Sequence, residues 1–483
     1  MVKATEMPAS KIPPLESASE DGNGNAGVHP QQILRKIDMR IMPIVSLLYF
    51  MSFLDRGNIG NAKIEGLGAD LHLTGQQYNW TLTVFFFTYA FLEVPSNILL
   101  KQLRPSIWLP SIMCAWGLVM TLMGLVENFA GLLIARLFLG ATEAGLFPGV
   151  AYYLSTWYAR EYSQYRQALF FCAATVSGSF SGLLAYAISK MDGVGGLDGW
   201  RWIFILEGIA TFLVAVASFF LIHDSFETCQ FLTRSEKDWV ASKLNNYGHG
   251  NAEKFNIKYI VQAVMDWQVL VAMFMNMGIL GPIYGISLFL PTIIKDLGYQ
   301  STQAQLLTIP IYVAGAIVAL LSAYLSDRMG KRSSFILALL CVAIVGYIMM
   351  LCGAAKDHPG LVYTGVFVSV IGLYSAFPGN IAWISNNVAG DYKKSVALAI
   401  QVGCGNLGGA ITSNIYRSQD SPKFILGHSV SLALVAVAFI AVTTLRFGYR
   451  FENKRRERLG EGDCSNEDSK DLGDKITSFR YIV

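Results

Sequence analysis

Residues 334–353 read SFILALLCVAIVGYIMMLCG, an apolar run that contains no charged side chain. A helix needs about 20 mostly apolar residues to cross about 30 Å of hydrocarbon, and this run has that length. A basic turn, Asp327–Arg332, precedes the run, and a polar loop at 356–359 follows it. The run is therefore predicted to be a membrane-spanning helix with polar turns at both ends.

Twelve stretches of this kind lie along the chain. The third and fourth are separated by only a few residues around Glu127 and Asn128. Pro95, Pro148 and Pro378 lie within or near the ends of stretches, so some of the helices are expected to be kinked. The stretches are 41–64, 78–100, 107–126, 129–153, 165–189, 199–222, 267–290, 303–326, 334–353, 360–387, 395–416 and 428–447. The chain is predicted to be an all-α membrane protein with twelve transmembrane helices.

The composition of the 483-residue chain agrees with this prediction. Hydrophobic residues make up 53% and charged residues only 15%, against about 25% charged residues in an ordinary soluble domain. The net charge of +3 is too small to predict nucleic-acid binding. The seven cysteines form no CxxC pair and the six histidines are scattered. We therefore expect no disulfide framework, no metal site and no cofactor.

The longest internal polar segment, 223–266, divides the twelve stretches six and six. A duplicated transporter with two six-helix halves predicts this division. The turn after the eighth stretch, Asp327–Arg332, has a counterpart after the second stretch, Lys101–Pro105. Within the polar segment, Ser235–Tyr247 is compatible with an amphipathic helix on the inner surface. The predicted architecture is thus two six-helix halves joined by a linker.

Basic residues lie mostly on one side of the predicted spans. With the N-terminus inside, most of the 37 Lys and Arg residues fall on the inner side, as the positive-inside rule requires. Both termini are therefore expected to be cytoplasmic, and the charged C-terminal tail is expected to be mobile. The predicted organisation is a disordered tail at 1–34, an N-terminal half at 35–222, a cytoplasmic linker at 223–266, a C-terminal half at 267–447 and a tail at 448–483.

Ionisable residues inside the spans are few, and all belong to the first half. A charge at mid-membrane costs at least about 2.5–3.5 kcal/mol, so each needs a partner, water or a function. Arg136 and Glu143 are seven residues apart and share one face of the fourth span. Asp55 and Arg56 lie near the middle of the first span.

Two arginines and two carboxylates are therefore expected to meet in one cavity. The arginines would hold an anion through forked hydrogen bonds, and the carboxylates would take and release a proton. The alternative is a structural ion-pair network that fixes the first span to the fourth. Glu93 is expected to be a packing or gating contact, and Arg201 and Glu207 are expected to pair locally.

Other polar, aromatic and small residues in the spans have simpler explanations. The aromatic residues of the second span, Phe85, Phe86, Phe87 and Tyr89, are expected to face lipid or to pack. Two GxxxG pairs predict close helix approaches: Gly178 with Gly182, and Gly405 with Gly409. In the second half each neutral polar residue is expected to form a hydrogen bond between helices rather than to contact a ligand. The candidates there for contacts to a substrate are Tyr284 and Asn406.

Several segments resemble those of a known transporter family. Asp327–Arg332 resembles the signature turn that the major facilitator superfamily carries in each half. The first-half counterpart, Leu99–Arg104, departs from that pattern because it lacks the acidic residue. The segments that resemble the superfamily's anion:cation symporter branch, and in the last case its fungal members, are Leu54–Ala62, Arg136–Gly149, Gly199–Trp202 and Ser287–Ile294. The resemblance covers about residues 35 to 450.

Members of that branch move organic anions such as allantoate, nicotinate, pantothenate and sugar acids, many of them with protons. The resemblance implies that Arg56 and Arg136 contact the substrate anion and that Asp55 and Glu143 couple transport to protons. We therefore expect a monomeric plasma-membrane carrier, not an enzyme, that takes up a small carboxylate with protons by alternating access. The alternatives are an exporter of a metabolite with the same fold and a nutrient sensor that does not transport.

Overall fold

Apolar helices make up most of the described chain. The computed structural model describes residues 29–245, 262–388, 391–459 and 479–483. Each of the twelve stretches predicted to span the membrane is helical there. The long helices are α1 (Pro30–Ala62), α2 (Gly75–Gln102), α3 (Pro105–Met123), α4 (Phe129–Glu143), α5 (Leu146–Trp157), α6 (Arg160–Ser189), α7 (Gly199–Leu221), α8 (Arg234–Asn245), α9 (Trp267–Asp296), α10 (Ser301–Met329), α11 (Arg332–Ala355), α12 (Pro359–Asn387), α13 (Asp391–Thr412) and α14 (Ile425–Leu459).

Ten segments of the described chain are long and apolar enough to cross a membrane. The two other predicted spans are α2 and α13, and the apolar part of α13 is Val396–Thr412. The fourth span is interrupted, because α4 ends at Glu143 and α5 begins at Leu146. Pro148 explains the break: it lies in the first turn of α5 and has no N–H to donate to the carbonyl group four residues earlier.

Short turns join most successive spans, which therefore run in opposite directions, and the bundle has two distinguishable ends. We call the end that holds Pro30 and Leu459 the tail end and the opposite one the far end. In the first half α1 packs against α6 and α7, and α3 packs against α7. In the second half α11 packs against α12, and α9 packs against α13 and α14. The first six predicted spans and the last six therefore each form a packed group.

The two groups meet mainly through three helix pairs, α6 with α10, α2 with α13 and α1 with α9, and α6 also contacts α12. Glycines of the predicted GxxxG pairs lie at two of these contacts. A Cβ on Gly182 would lie 2.6 Å from the carbonyl oxygen of Gln305, and one on Gly409 would lie 2.5 Å from the ring of Phe86. Only glycine allows these helices to approach so closely, as the spacing predicts.

The polar segment between the halves contains the expected helix. It is α8, and its side chains reach α1: the Nζ of Lys36 lies 2.5 Å from a carboxylate oxygen of Glu236. A second ion pair, Arg166 with Asp38 at 2.7 Å, joins the tail end of α6 to α1. The rest of the predicted Ser235–Tyr247 helix, beyond Asn245, lies outside the described residues.

Both tails differ from the predictions where they are described. Helix α1 begins at Pro30, so the predicted disordered tail at 1–34 is wrong for its last residues, and residues 1–28 lie outside the described chain. At the other terminus α14 continues as a helix to Leu459, and residues 479–483 pack against the tail end of the second half. The prediction of a mobile tail from residue 448 is therefore wrong for both described parts.

The last five residues are held by specific contacts. Tyr481 is buried, its ring stacks on Tyr449 with centroids 4.8 Å apart, and its hydroxyl group accepts a 3.0 Å hydrogen bond from Gln268. The Ile482 N–H donates to the side chain of Asn387 at 2.7 Å, and the Ile482 carbonyl group accepts from Trp383 at 2.8 Å. The segment is thus bound to three helices, α9, α12 and α14.

Candidate functional site

A small cavity lies between the two halves near the middle of the bundle. Its volume is about 20 Å³, room for about one water molecule. A neighbouring cavity of about 30 Å³ shares Phe53 and Ser287 with it. The residues that line the first cavity are Phe53, Arg56, Leu82, Phe85, Phe86, Arg136, Tyr284, Ser287 and Leu288. Both predicted arginines therefore face the same space.

Arg56 joins the two halves. Its Nε donates a 2.7 Å hydrogen bond to the carboxylate of Glu143 on α4, and its Nη1 donates one of 2.7 Å to the hydroxyl group of Tyr284 on α9. Ser52, one turn earlier on α1, donates to the same Glu143 oxygen. The expected meeting of Arg56 with Glu143 is therefore present, and Ser52, which sequence reasoning missed, belongs to it.

Aromatic rings surround the Arg56 guanidinium group. The central carbon of this group lies 4.7 Å from the ring centre of Tyr89, 5.2 Å from that of Phe53 and 5.6 Å from that of Phe85. These distances are within the range of cation–π attraction. The cage holds the cation in place without using its remaining hydrogen-bond donors.

The hydrogen-bond chain continues into the last helices. The Tyr284 hydroxyl group, which accepts from Arg56, donates in turn to Oδ1 of Asn406 on α13 at 2.7 Å. Asn406 does not line the cavity; it reaches the site through Tyr284. The chain Glu143–Arg56–Tyr284–Asn406 thus connects α4, α1, α9 and α13, and it crosses from one half to the other.

Arg136 differs from Arg56 in its partners. It is 2% exposed, it lines the cavity, and its Nε and Nη2 have no hydrogen-bond partner among the described residues. A buried cation without a counterion costs several kcal/mol. The cavity therefore offers an unpaired guanidinium group that is suited to bind an anion.

Asp55 points away from the cavity. Its Oδ2 accepts hydrogen bonds from the indole N–H of Trp116 on α3 at 2.8 Å and from the hydroxyl group of Thr211 on α7 at 2.9 Å. Consecutive residues on a helix are about 100° apart, and on α1 it is Arg56 that faces the cavity while Asp55 faces α3 and α7. The prediction that all four charged residues meet in one cavity is therefore wrong for Asp55.

Two other ionisable residues of the spans, Arg201 and Glu207, have partners within the first half. Arg201 pairs with Asp70 at 2.7 Å at the far end. Glu207 accepts a 2.6 Å hydrogen bond from Asn58 on α1. Arg201 and Glu207 thus each have local partners, as expected, although the two do not pair with each other.

The aromatic residues of α2 divide between two faces. Phe85 and Phe86 are buried and line the cavity, and Tyr89 is buried beneath Arg56, whereas Phe87 is 43% exposed. The expectation that these residues face lipid or merely pack is wrong for Phe85 and Phe86. The helical spacing could have predicted this division. Phe85, Phe86 and Tyr89 are at positions i, i+1 and i+4 and share one face of the helix, whereas Phe87 at i+2 does not.

Contacts between the halves lie on both sides of the cavity. Towards the tail end, the rings of Phe171 on α6 and Phe377 on α12 are 5.1 Å apart and nearly perpendicular. Towards the far end, the Lys63 ammonium group lies 4.3 Å from the ring centre of Tyr78 and 5.1 Å from that of Phe289. The halves are therefore in contact towards both ends of the bundle.

Comparisons with known proteins fit this architecture. A family model described as Major Facilitator Superfamily matches residues 45–413. An uncharacterized transporter of Schizosaccharomyces pombe is 36% identical over 100% of this chain and 97% of its own length. The high-affinity nicotinic acid transporter of Saccharomyces cerevisiae is 34% identical over 97% of this chain and 88% of its own length.

Solved structures share the fold at low sequence identity. A bacterial homologue of the human lysosomal transporter Spinster, in an inward-facing and occupied conformation, aligns with a TM-score of 0.62 over 88% of this chain and 98% of its own. A D-xylose–proton symporter aligns with a TM-score of 0.62 over 84% and 97%. The identities are 15% and 13%, so these two structures bear on the fold alone.

Proposed function

This chain belongs to the Major Facilitator Superfamily and is a multi-pass membrane transporter, not an enzyme, and we propose that it carries a small organic anion. The proposed substrate is a monocarboxylate such as nicotinate, pantothenate or allantoate. It is taken up with protons across the plasma membrane by alternating access between the two halves. Both termini and the 223–266 linker are proposed to lie in the cytoplasm.

The observation that carries this proposal is the unpaired guanidinium group of Arg136 on the central cavity. Of the two arginines there, Arg56 is neutralised by Glu143 in an ion pair at 2.7 Å. One positive charge remains, and one carboxylate would balance it. Two parallel N–H···O bonds from Arg136 would also fix the orientation of that carboxylate.

The lining of the cavity favours a flat, apolar body behind the carboxylate. Phe53, Phe85, Phe86 and Tyr284 face the same space as the two arginines. Aromatic faces stack well on planar rings. The similarity to a nicotinic acid transporter supports a substrate of this shape, since nicotinate combines one carboxylate with one aromatic ring.

Substrate entry requires the halves to separate. A cavity of about 20 Å³ holds no carboxylate with a ring, and the halves are in contact on both sides of it. Opening either end would break one set of these contacts and keep the other. Protonation of Glu143 would weaken its bond to Arg56, and the released guanidinium group would then bind the substrate beside Arg136.

Uptake by purified protein in liposomes tests the proposal. Labelled nicotinate, pantothenate and allantoate are offered with an imposed proton gradient, and Arg136→Ala serves as the control for the site. Accumulation of one of them that depends on the gradient and on Arg136 supports the proposal. Net efflux under the same gradient would identify an exporter, and no movement of any carboxylate would overturn a transport role for this class.

A further inference from the structure

Glu93 is a buried carboxylate that the proposed transport cycle does not use. It lies on α2 where that helix packs against α13, one of the three main contacts between the halves. The residue is 1% exposed, and neither carboxyl oxygen has a hydrogen-bond partner within the described ranges. A Cβ on Gly403 of α13 would lie 3.5 Å from its Oε2, so the carboxyl group contacts the other half directly.

No cation pairs with Glu93 in the part of the chain that the structure describes. The charge of Arg56 acts on Glu93 from a distance, but the Arg56 guanidinium group donates its hydrogen bonds to Glu143 and Tyr284. The polar group beside it is the neutral amide of Asn406. The titratable and charged groups that face Glu93 from its own helix and from the packed helices are Tyr89, Arg56, Tyr284 and Cys404.

Burial without a paired cation favours the neutral form of this carboxyl group. Burying the ionised group without a partner costs several kcal/mol, whereas the protonated group loses far less by burial. Separation of α2 from α13 would admit water to the carboxyl group and remove that cost. The closed interface therefore favours a proton on Glu93, and the open interface does so less.

We propose that Glu93 carries a proton between the two sides by binding it before the α2–α13 interface closes and releasing it after the interface opens. The proton comes from water at the open side and forms an O–H bond with one carboxyl oxygen. After the halves reopen at the other side that bond breaks, the proton returns to water, and the carboxylate is restored. This inference rests on the proposed function and adds a second coupling residue to Glu143.

The hydrogen-bond chain of the substrate site ends beside Glu93. Asn406 accepts from Tyr284, which accepts from Arg56, and the Nδ2 of Asn406 has no partner among the described residues. A substrate that withdraws Arg56 from Tyr284 would free the Tyr284–Asn406 pair to rearrange against the Glu93 carboxyl group. Binding of the anion and protonation of Glu93 are thus linked through two side chains.

Cys404 provides a native reporter of this interface. It lies on α13 beside Glu93 and is partly buried. In a chain that keeps Cys404 and loses the other six cysteines, the rate of maleimide alkylation is measured in lipid nanodiscs over a range of pH. Each rate is divided by that of the unfolded chain at the same pH, which corrects for the ionisation of an ordinary exposed thiol.

The expected relative rate rises with pH by up to about tenfold per pH unit, the limit for opening coupled to loss of one proton. Glu93→Gln, which mimics the neutral form, should keep the relative rate low at every pH. Removing a negative charge beside a thiol would by itself speed alkylation, so the direct electrostatic effect has the opposite sign. A Glu93→Gln rate that follows the unsubstituted protein would overturn the proposal.

Transport measurements separate this inference from the proposed function. Glu93→Gln should retain counterflow exchange of labelled nicotinate but lose proton-driven accumulation, whereas Glu93→Asp should keep part of it. The matched control is Glu127→Gln, in the exposed loop before α4, which should change neither. If the unsubstituted protein moves no carboxylate, the proposed function fails while the Cys404 measurement still decides the role of Glu93. Unchanged accumulation by Glu93→Gln would overturn that role alone.

Discussion

Arg56 and Arg136 line the same central cavity, but within the described chain only Arg56 has a carboxylate counterion, Glu143 at 2.7 Å. Breaking a buried ion pair is strongly destabilising, whereas a buried cation that has no partner already costs stability. The two arginines therefore have opposite expected effects on stability and similar expected effects on transport. Variants at these positions can distinguish a substrate site from a structural network.

Replacing Arg136 with Gln should abolish uptake without destabilising the protein. Loss of one charge-assisted pair to a buried carboxylate costs about 2–5 kcal/mol, or about 30-fold or more in affinity. Removing an unpaired buried cation should leave the midpoint of thermal unfolding unchanged or raise it. Uptake of labelled nicotinate into liposomes and a thermal unfolding curve measure the two effects.

Arg458→Gln, at an exposed position on α14, is the matched control. Normal uptake with a lower unfolding midpoint would assign Arg136 to a structural network.

Replacing Glu143 with Gln should uncouple transport from protons. The amide oxygen of Gln can still accept from Ser52 and Arg56, so the local structure should persist. The side chain can no longer gain or lose a proton, so proton-driven accumulation should disappear while counterflow exchange continues. Both are measured in liposomes with and without a pH gradient. Accumulation equal to that of the unsubstituted protein would exclude Glu143 as a coupling residue.

The helices and part of the site could be predicted because they depend on local rules. A span of about 20 apolar residues must satisfy its backbone hydrogen bonds within a helix, so hydropathy alone located α1 to α7 and α9 to α14. The depth and face of Arg56 and Glu143 predicted their approach. The direction of Asp55 could not be predicted from depth, because it depends on which neighbouring helix the opposite face of α1 meets. That neighbour is set by packing between distant segments.

The packing site of residues 479–483 could not be predicted either. The site is formed by Gln268 on α9, Trp383 and Asn387 on α12, and Tyr449 on α14, which are far apart in the sequence. A segment of five residues is too short to show a period that would predict these contacts. Only the folded second half brings these groups together.

A larger side chain at Gly182 should impair closure of the far end. Valine there would place its Cβ 2.6 Å from the carbonyl oxygen of Gln305, and overpacking of this kind costs about 1–3 kcal/mol. Because the contact joins α6 to α10, the closed conformation should lose stability and the uptake rate should fall about tenfold. Gly360→Val is the control, since no atom lies within 4 Å of a Cβ at that position. Equal uptake by the two variants would show that transport does not require tight packing of α6 against α10.

Removing the ring of Tyr481 should release the C-terminal residues and destabilise the second half. The variant Tyr481→Ala loses the stacking on Tyr449 and the hydrogen bond from Gln268, and we expect the free energy of unfolding to fall by about 1–3 kcal/mol. The control is Ile482→Ala, because the Ile482 side chain is 39% exposed and its contacts to Trp383 and Asn387 use only the backbone. Thermal unfolding in detergent measures both variants. If they shift the midpoint equally, the backbone contacts rather than the Tyr481 ring hold the segment; if neither shifts it, the segment does not stabilise the second half.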